Sequence, residues 1–255
     1  MRKKLIAGNW KMNLGYKDSE KLAKDIDEKL DKRLFEKLDV LLCPAFISLG
    51  IVYKTIKNSE IKLGAQNLSY ENDGAYTGEI SASLLKSAGC EYVIIGHSER
   101  RKYFHETNKI VNKKIKKAIE FNLKPVFCVG ETLEEREDEI YEGVVEKQIG
   151  EGLADISNEQ MKEIVIAYEP VWAIGTGLNA TPKQASEMHG FIGKVISKIF
   201  NDETADQLLI LYGGSLNGKN AKEMLSACGV DGALIGGASL KADEFTDIVK
   251  TASQV

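Results

Sequence analysis

The chain has 255 residues, 43% of them apolar and 28% charged, with four prolines, a balance that supports a folded core and excludes a disordered or proline-rich chain. Its 34 basic and 38 acidic side chains leave a formal net charge of −4, which argues against nucleic acid as the principal partner while leaving room for a local pocket that holds a small anion. Cys43, Cys90, Cys128 and Cys228 stand at least 38 positions apart with no histidine at ligand spacing, so neither a zinc cluster nor a disulfide framework is expected.

The first nine residues contain only three consecutive apolar positions, Leu5, Ile6 and Ala7, fewer than the roughly seven a signal-peptide core needs. No later run approaches the roughly 18 apolar residues of a membrane span. A protein with no membrane partner, residing in the cytoplasm, is the expectation.

Eight short apolar runs follow one another along the chain: 5–7, 40–43, 61–65, 92–95, 126–129, 164–168, 208–212 and 233–235. Continuous runs of this kind fit strands covered on both faces, where a half-exposed strand would alternate. Between them lie segments of helical period. Residues 19–30 form one; in 107–121, Ile110, Val111, Ile115, Ala118 and Ile119 make an apolar stripe while Lys109, Lys113, Lys116, Lys117 and Glu120 take a solvated face. Thr181-Pro182 reads as a cap and first-turn proline that open a helix through Met188, Ile192, Val195, Ile196 and Ile199, and 217–228 completes the set. Strand then helix, repeated eight times without a linker, predicts an α/β fold: a closed eight-stranded parallel (β/α)8 barrel, a single domain over 1–255. A doubly wound open sheet is the alternative.

The residues that end the apolar runs carry the chemistry. Asn9-Trp10-Lys11 follows the first, Gly96-His97-Ser98-Glu99 the fourth, Glu169-Pro170 the sixth, Gly213-Gly214-Ser215 the seventh and Gly236-Gly237 the eighth. In a parallel barrel these tips meet on one rim, the face on which enzymes of this architecture keep their active sites. Two glycine pairs on the last strands free backbone N–H groups to approach a phosphate. His97 precedes Ser98, read here as a helix cap, and the positive end of that helix should lower its basicity and keep the imidazole neutral. Glu169, ending an apolar strand with no full-strength partner in view, should be made more basic by desolvation. Lys11 is the candidate cation for a substrate anion. Trp10 and Trp172 are read as core aromatics, and His105 and His189 as ordinary surface or helix residues. Residues 170–178 mix apolar bulk with glycine in the manner of a lid that excludes water. Two nucleotide-like patterns, Gly213 to Asn220 and Gly175 to Ala180, miss the required magnesium ligand and the required strand-tip position respectively.

The strings Ala7-Gly8-Asn9-Trp10-Lys11-Met12-Asn13, Gly96-His97-Ser98-Glu99-Arg100-Arg101, Ala167 through Gly177, and Tyr212-Gly213-Gly214-Ser215 closely resemble the triosephosphate isomerase family, in order, from the first strand to the last. The resemblance implies a TIM barrel that interconverts dihydroxyacetone phosphate and D-glyceraldehyde 3-phosphate with no metal or organic cofactor. It implies that Glu169 is the base, that His97 polarises and shuttles protons among the enediolate oxygens, that Lys11 stabilises negative charge and that Asn9 orients the substrate. Glu99 would position Lys11; Gly175, Ser215, Gly236 and Gly237 would hold the phosphate; Tyr212 with Ser215 would latch the closed lid. Residues 69–79 resemble the family's dimerisation loop, so a homodimer is expected, with Thr77 reaching Asn9 and Lys11 of the partner. Leu178-Asn179 at the lid's second hinge and Met12 at the interface depart from the common pattern. A different cofactor-free isomerase or lyase on a phosphate-binding barrel, or a non-catalytic scaffold of the same fold, stay open as rival readings.

Overall fold

A computed structural model describes residues 3–175 and 179–255. Thr176, Gly177 and Leu178, which belong to the expected lid and its second hinge, lie outside the described residues.

Each of the eight apolar runs forms a strand: β1 (Lys4–Asn9), β2 (Leu38–Cys43), β3 (Lys62–Ala65), β4 (Tyr92–Ile95), β5 (Lys124–Val129), β6 (Val165–Tyr168), β7 (Leu209–Tyr212) and β8 (Gly232–Ile235). Every strand pairs in parallel with the next, and β8 returns to β1 with Leu5 opposite Gly232, closing the barrel. Closure sets the doubly wound sheet aside.

The runs are apolar throughout because the two faces of each strand meet different cores. Leu5 and Ala7 of β1, Leu41 and Cys43 of β2 and Ile94 of β4 point into the barrel, whereas their neighbours Ile6, Val40, Leu42 and Val93 pack outward against the helices. The interior is tight enough to require a glycine on β3: a Cβ at Gly64 would fall 2.7 Å from the Cys43 sulfur and 3.1 Å from Leu41.

The helical segments open as their caps dictate. Thr181 and Gln184 exchange hydrogen bonds at the start of the helix Pro182–Ile199, a reciprocal cap that satisfies two otherwise orphaned donors. Thr107 accepts from the Ile110 N–H and opens Asn108–Glu120, which buries Val111, Ile115 and Ala118 as the stripe predicts. The same helix also buries Lys114, whose ammonium donates to Glu106 and Asn67. One expectation needs correcting. The segment 217–228 is helical only over Ala221–Leu225, because Asn217 and Asn220 turn the chain with side-chain bonds to nearby backbone groups first. The helix opened by Thr181 runs through Ile199 as expected, leaving that last side chain 43% exposed.

Cys43, Cys90 and Cys128 are buried free thiols, and burial pushes all three upward in pKa, Cys90 to about 12. Among the described residues no helix is long and apolar enough to cross a membrane.

Candidate active site

The strand tips converge as the topology requires. Asn9, Lys11, His97, Glu169, Gly236 and Gly237 line one cavity of about 440 Å³ at the C-terminal rim, together with Gly175 and the segment Gly213 to Asn217.

Lys11 is held in a left-handed backbone conformation, φ +52°, unusual for a residue with a side chain. Its surroundings over-determine that geometry. The Lys11 N–H donates to Asn9 Oδ1 at 3.0 Å, Gln66 Nε2 donates to the Lys11 carbonyl at 2.8 Å, and the ammonium reaches Glu99 Oε1 at 2.6 Å. The strain is thus stored where it aims a cation into the cavity.

His97 itself, and not Ser98, caps the helix Ser98–Phe104. The Glu99 backbone N–H donates to His97 Nδ1 at 3.2 Å, so Nδ1 is an acceptor and the proton of the neutral ring belongs on Nε2. That nitrogen faces Glu169 Oε1 at 2.9 Å. The second carboxylate oxygen of Glu169 accepts from the Ser98 N–H at 2.8 Å.

This pairing reverses both expectations about basicity. Burial alone would raise Glu169, but His97 beside it and the Ser98 N–H overcome burial and hold the carboxyl below its ordinary range. Burial alone would lower His97, and the Glu169 carboxylate overcomes that and raises it. The reason lies in distance: residues 72 positions apart in sequence sit within one hydrogen bond, and a partner at that range outweighs desolvation.

Glycines make room for Glu169. A Cβ at Gly213 would come 2.9 Å from Glu169 Cγ, and one at Gly130 would collide with the Glu169 carbonyl. On the opposite wall, the chain enters a short 3₁₀ turn at Gly237–Leu240, and the Gly236 carbonyl is tied back to the Ser239 N–H and hydroxyl. The Ser215 N–H is engaged, donating to the Ala173 carbonyl at 3.1 Å. Gly175 has φ +69°, a conformation suited to glycine. Tyr212 is buried with its hydroxyl facing the Ala180 backbone amide, and burial pushes the phenol up to about 12.

Trp10 is fully buried. Trp172 is half-buried and tied down through its indole N–H to Glu131 Oε1 at 2.8 Å. Tyr168 donates to the same oxygen at 3.0 Å, and Arg136 lies 3.4 Å away. Sequence reasoning missed Glu131 and Gln66. Both follow apolar runs, the fifth and the third, so the strand-tip rule that found His97 and Glu169 points to them too. Thr77 does not line the cavity; it is exposed on a loop braced by Asp73 bonds to Ser81 and Ser83. His105 is exposed and His189 is buried within the helix Pro182–Ile199.

Comparison with known proteins agrees with this geometry. The profile of the family described as Triosephosphate isomerase matches residues 4–252. A triosephosphate isomerase of Chloroherpeton thalassium is 52% identical over 99% of this chain and 100% of its own length. Those of Dictyoglomus thermophilum, 51% identical over 98% of this chain and 100% of its own, and Clostridium botulinum, 50% over 98% and 99%, are similar along the same extent. With the barrel closed, the His97–Glu169 pair at its rim and the likeness running from end to end, the chain belongs to the triosephosphate isomerase family.

Proposed function

We propose that Glu169 and His97 move the protons in the reaction this chain catalyses, the interconversion of dihydroxyacetone phosphate and D-glyceraldehyde 3-phosphate. The observation that carries the assignment is the His97–Glu169 contact of 2.9 Å inside the cavity that the glycine pairs border. A proton alpha to a carbonyl is too weakly acidic for a carboxylate alone, so donors aimed at the developing enediolate oxygens must supply the difference.

Glu169 first leaves His97 and the Ser98 N–H and turns to the substrate. Leaving removes the two groups that hold it low, while burial remains, so its basicity rises as it meets the C–H bond. The departure also frees His97 Nε2–H to donate to a substrate oxygen. The carboxylate takes the proton from one carbon, the electron pair becomes the enediolate, and the same carboxyl returns the proton to the neighbouring carbon while His97 relays protons between the two oxygens. Lys11, positioned by Glu99, balances the enediolate charge, and Asn9 orients the substrate. Each step uses only this chain's side chains and backbone groups.

Backbone N–H groups of Gly175, Ser215, Gly236 and Gly237 hold the phosphate. Ser215 exchanges the Ala173 carbonyl for a phosphate oxygen as the lid, 170–178, closes, and Tyr212 with Ser215 latches it. Closing excludes water from the enediolate, which would otherwise expel phosphate. We further propose a cytoplasmic symmetric homodimer in which loop 69–79 carries Thr77 to Asn9 and Lys11 of the partner. The exposed Met12, Ile47 and Tyr76 side chains support an apolar contact there; sedimentation at micromolar concentration should give a dimer, and a fully active monomer would defeat this part.

The test of the chemistry is turnover of glyceraldehyde 3-phosphate coupled to NADH oxidation through glycerol-phosphate dehydrogenase. The parent should turn over rapidly and Glu169→Gln should lose roughly 10²- to 10⁴-fold in kcat. Equal turnover by the two proteins would remove Glu169 from the mechanism.

A further inference from the structure

We propose that Lys241 is a second phosphate-attracting cation at the mouth of the cavity, held in place by Glu244, and that it acts on capture of the dianionic substrate and not on proton transfer. The proposal rests on the reading that Gly236 and Gly237 mark the phosphate end. Lys241 and Glu244 line the same cavity as those glycines, with the ammonium 3.4 Å from Glu244 Oε2.

The local chemistry of the chain argues against a lysine here. Lys241 is the N-cap residue of the helix Ala242–Ala252 and makes no side-chain cap. Thr107, Thr132, Ser157, Thr181 and Asn201 each accept a backbone N–H at the same position of other helices. A lysine side chain has no acceptor to offer those N–H groups, and its charge opposes the positive end of the helix dipole. What the position does provide is a cation facing the phosphate end of the cavity.

Charge explains why one is needed. A chain of net charge −4 repels a substrate dianion at long range, so capture depends on local cations at the mouth. Lys11 is one, but it is tightly bound to Glu99 at 2.6 Å with its side chain 27% exposed. The Lys241 pair is looser, 3.4 Å with the lysine 75% exposed. Asp243, the other acid of that first helical turn, is taken by Lys29 at 2.8 Å, which leaves Glu244 as the releasable partner. Lys241 can therefore exchange Glu244 for a phosphate oxygen without breaking a close contact.

The experiment compares Lys241→Ser, Glu244→Gln and Lys198→Ser with the parent in kcat/KM for glyceraldehyde 3-phosphate across ionic strengths from about 0.01 to about 0.3 M. Lys198 is an exposed lysine outside the cavity and controls for net charge. Lys241→Ser should lose roughly three- to tenfold in kcat/KM at low salt, with kcat within about twofold, and the deficit should shrink as salt screens it. Its inhibition constant for inorganic phosphate should rise in step, while its thermal midpoint holds or rises, since serine caps the helix. Glu244→Gln should raise kcat/KM at low salt and Lys198→Ser should change nothing. Parent-like kcat/KM and phosphate affinity in Lys241→Ser, or a loss confined to kcat, would overturn the proposal. Parent-like KM and inorganic-phosphate inhibition in Gly237→Val would instead overturn the reading of Gly236 and Gly237 as the phosphate end, on which it rests.

Discussion

His97, at the tip of β4, and His189, midway along the helix Pro182–Ile199, are both buried, 6% and 1% exposed, yet their basicities move in opposite directions. His189 donates through Nδ1–H to the Gly229 carbonyl, 2.8 Å away, and packs T-shaped against Tyr168 at a ring separation of 5.9 Å. Burial lowers it to about 4, only partly offset by that carbonyl. His97 is raised because a carboxylate faces it. Burial sets a cost for charging either ring, and the partner decides whether that cost is met. The outer layer of the barrel thus holds a neutral packing histidine, while the rim holds one coupled to an acid.

The sharpest way to break this comparison is to exchange the two rings for amides. His97→Gln should lower kcat by about 10²- to 10⁴-fold, the range for a positioned proton-transfer group, whereas His189→Asn should leave kcat within about twofold. Steady-state kinetics on both proteins measures the contrast, and similar losses would mean that His97 acts through the fold alone.

A second test perturbs the rim from the Gly213 wall. A methyl at residue 213 would press on Glu169 Cγ from 2.9 Å, so Gly213→Ala should disturb the proposed base although the glycine belongs to the other wall. The expected loss is about 10²-fold in kcat, as for a displacement of about 1 Å, with a smaller change in KM. If KM rises and kcat holds, the two walls are independent.

How much of this was legible in the sequence depends on range. The strands were, because continuous apolar runs report two covered faces, and Thr181 and Thr107 marked helix starts through local capping. Glu169 and His97 were legible as strand-tip residues, yet their mutual contact was not: β5 separates their strands, and neither residue's neighbours in sequence announce the other. That is why both basicities were expected in the wrong direction. Ser98 was misjudged as the cap because serine is the commoner choice, while the imidazole Nδ1 of His97 takes the Glu99 N–H. Lys241 and Glu244 were invisible for a related reason, since a charged pair three residues apart normally marks a solvated helix face.

The reversal has a kinetic signature. In the free enzyme Glu169 is held below the ordinary carboxylate range, so its active, ionised form persists on the acid side. The limb of kcat/KM due to this group should fall below about pH 4.5, separate from titration of the substrate phosphate near about 6. In His97→Gln the ring that helps hold Glu169 low is gone while burial remains, so the limb should move upward in pH. The phosphate limb should stay fixed; movement of both limbs together would assign the shift to the substrate.

Stability against pH separates the two histidines by sign. His97 has a folded pKa above its unfolded value, so its contribution is complete below about 6.5 and is lost as pH rises through the folded pKa. His189 has a folded pKa of about 4 against an unfolded value of about 6.5, so the unfolded chain binds the extra proton between those limits. Acidification across that window should therefore remove stability, by roughly 3 kcal/mol at most. Carboxylates titrate in part of the same window, which makes the informative quantity a difference: urea unfolding of the parent and of His189→Asn at about pH 7 and about pH 4.5. The asparagine variant loses packing and is less stable at neutral pH, but it has no ring to protonate, so its further loss on acidification should be smaller. A parallel loss in the two proteins would show that His189 is charged in the fold, and burial would then not be what distinguishes it from His97.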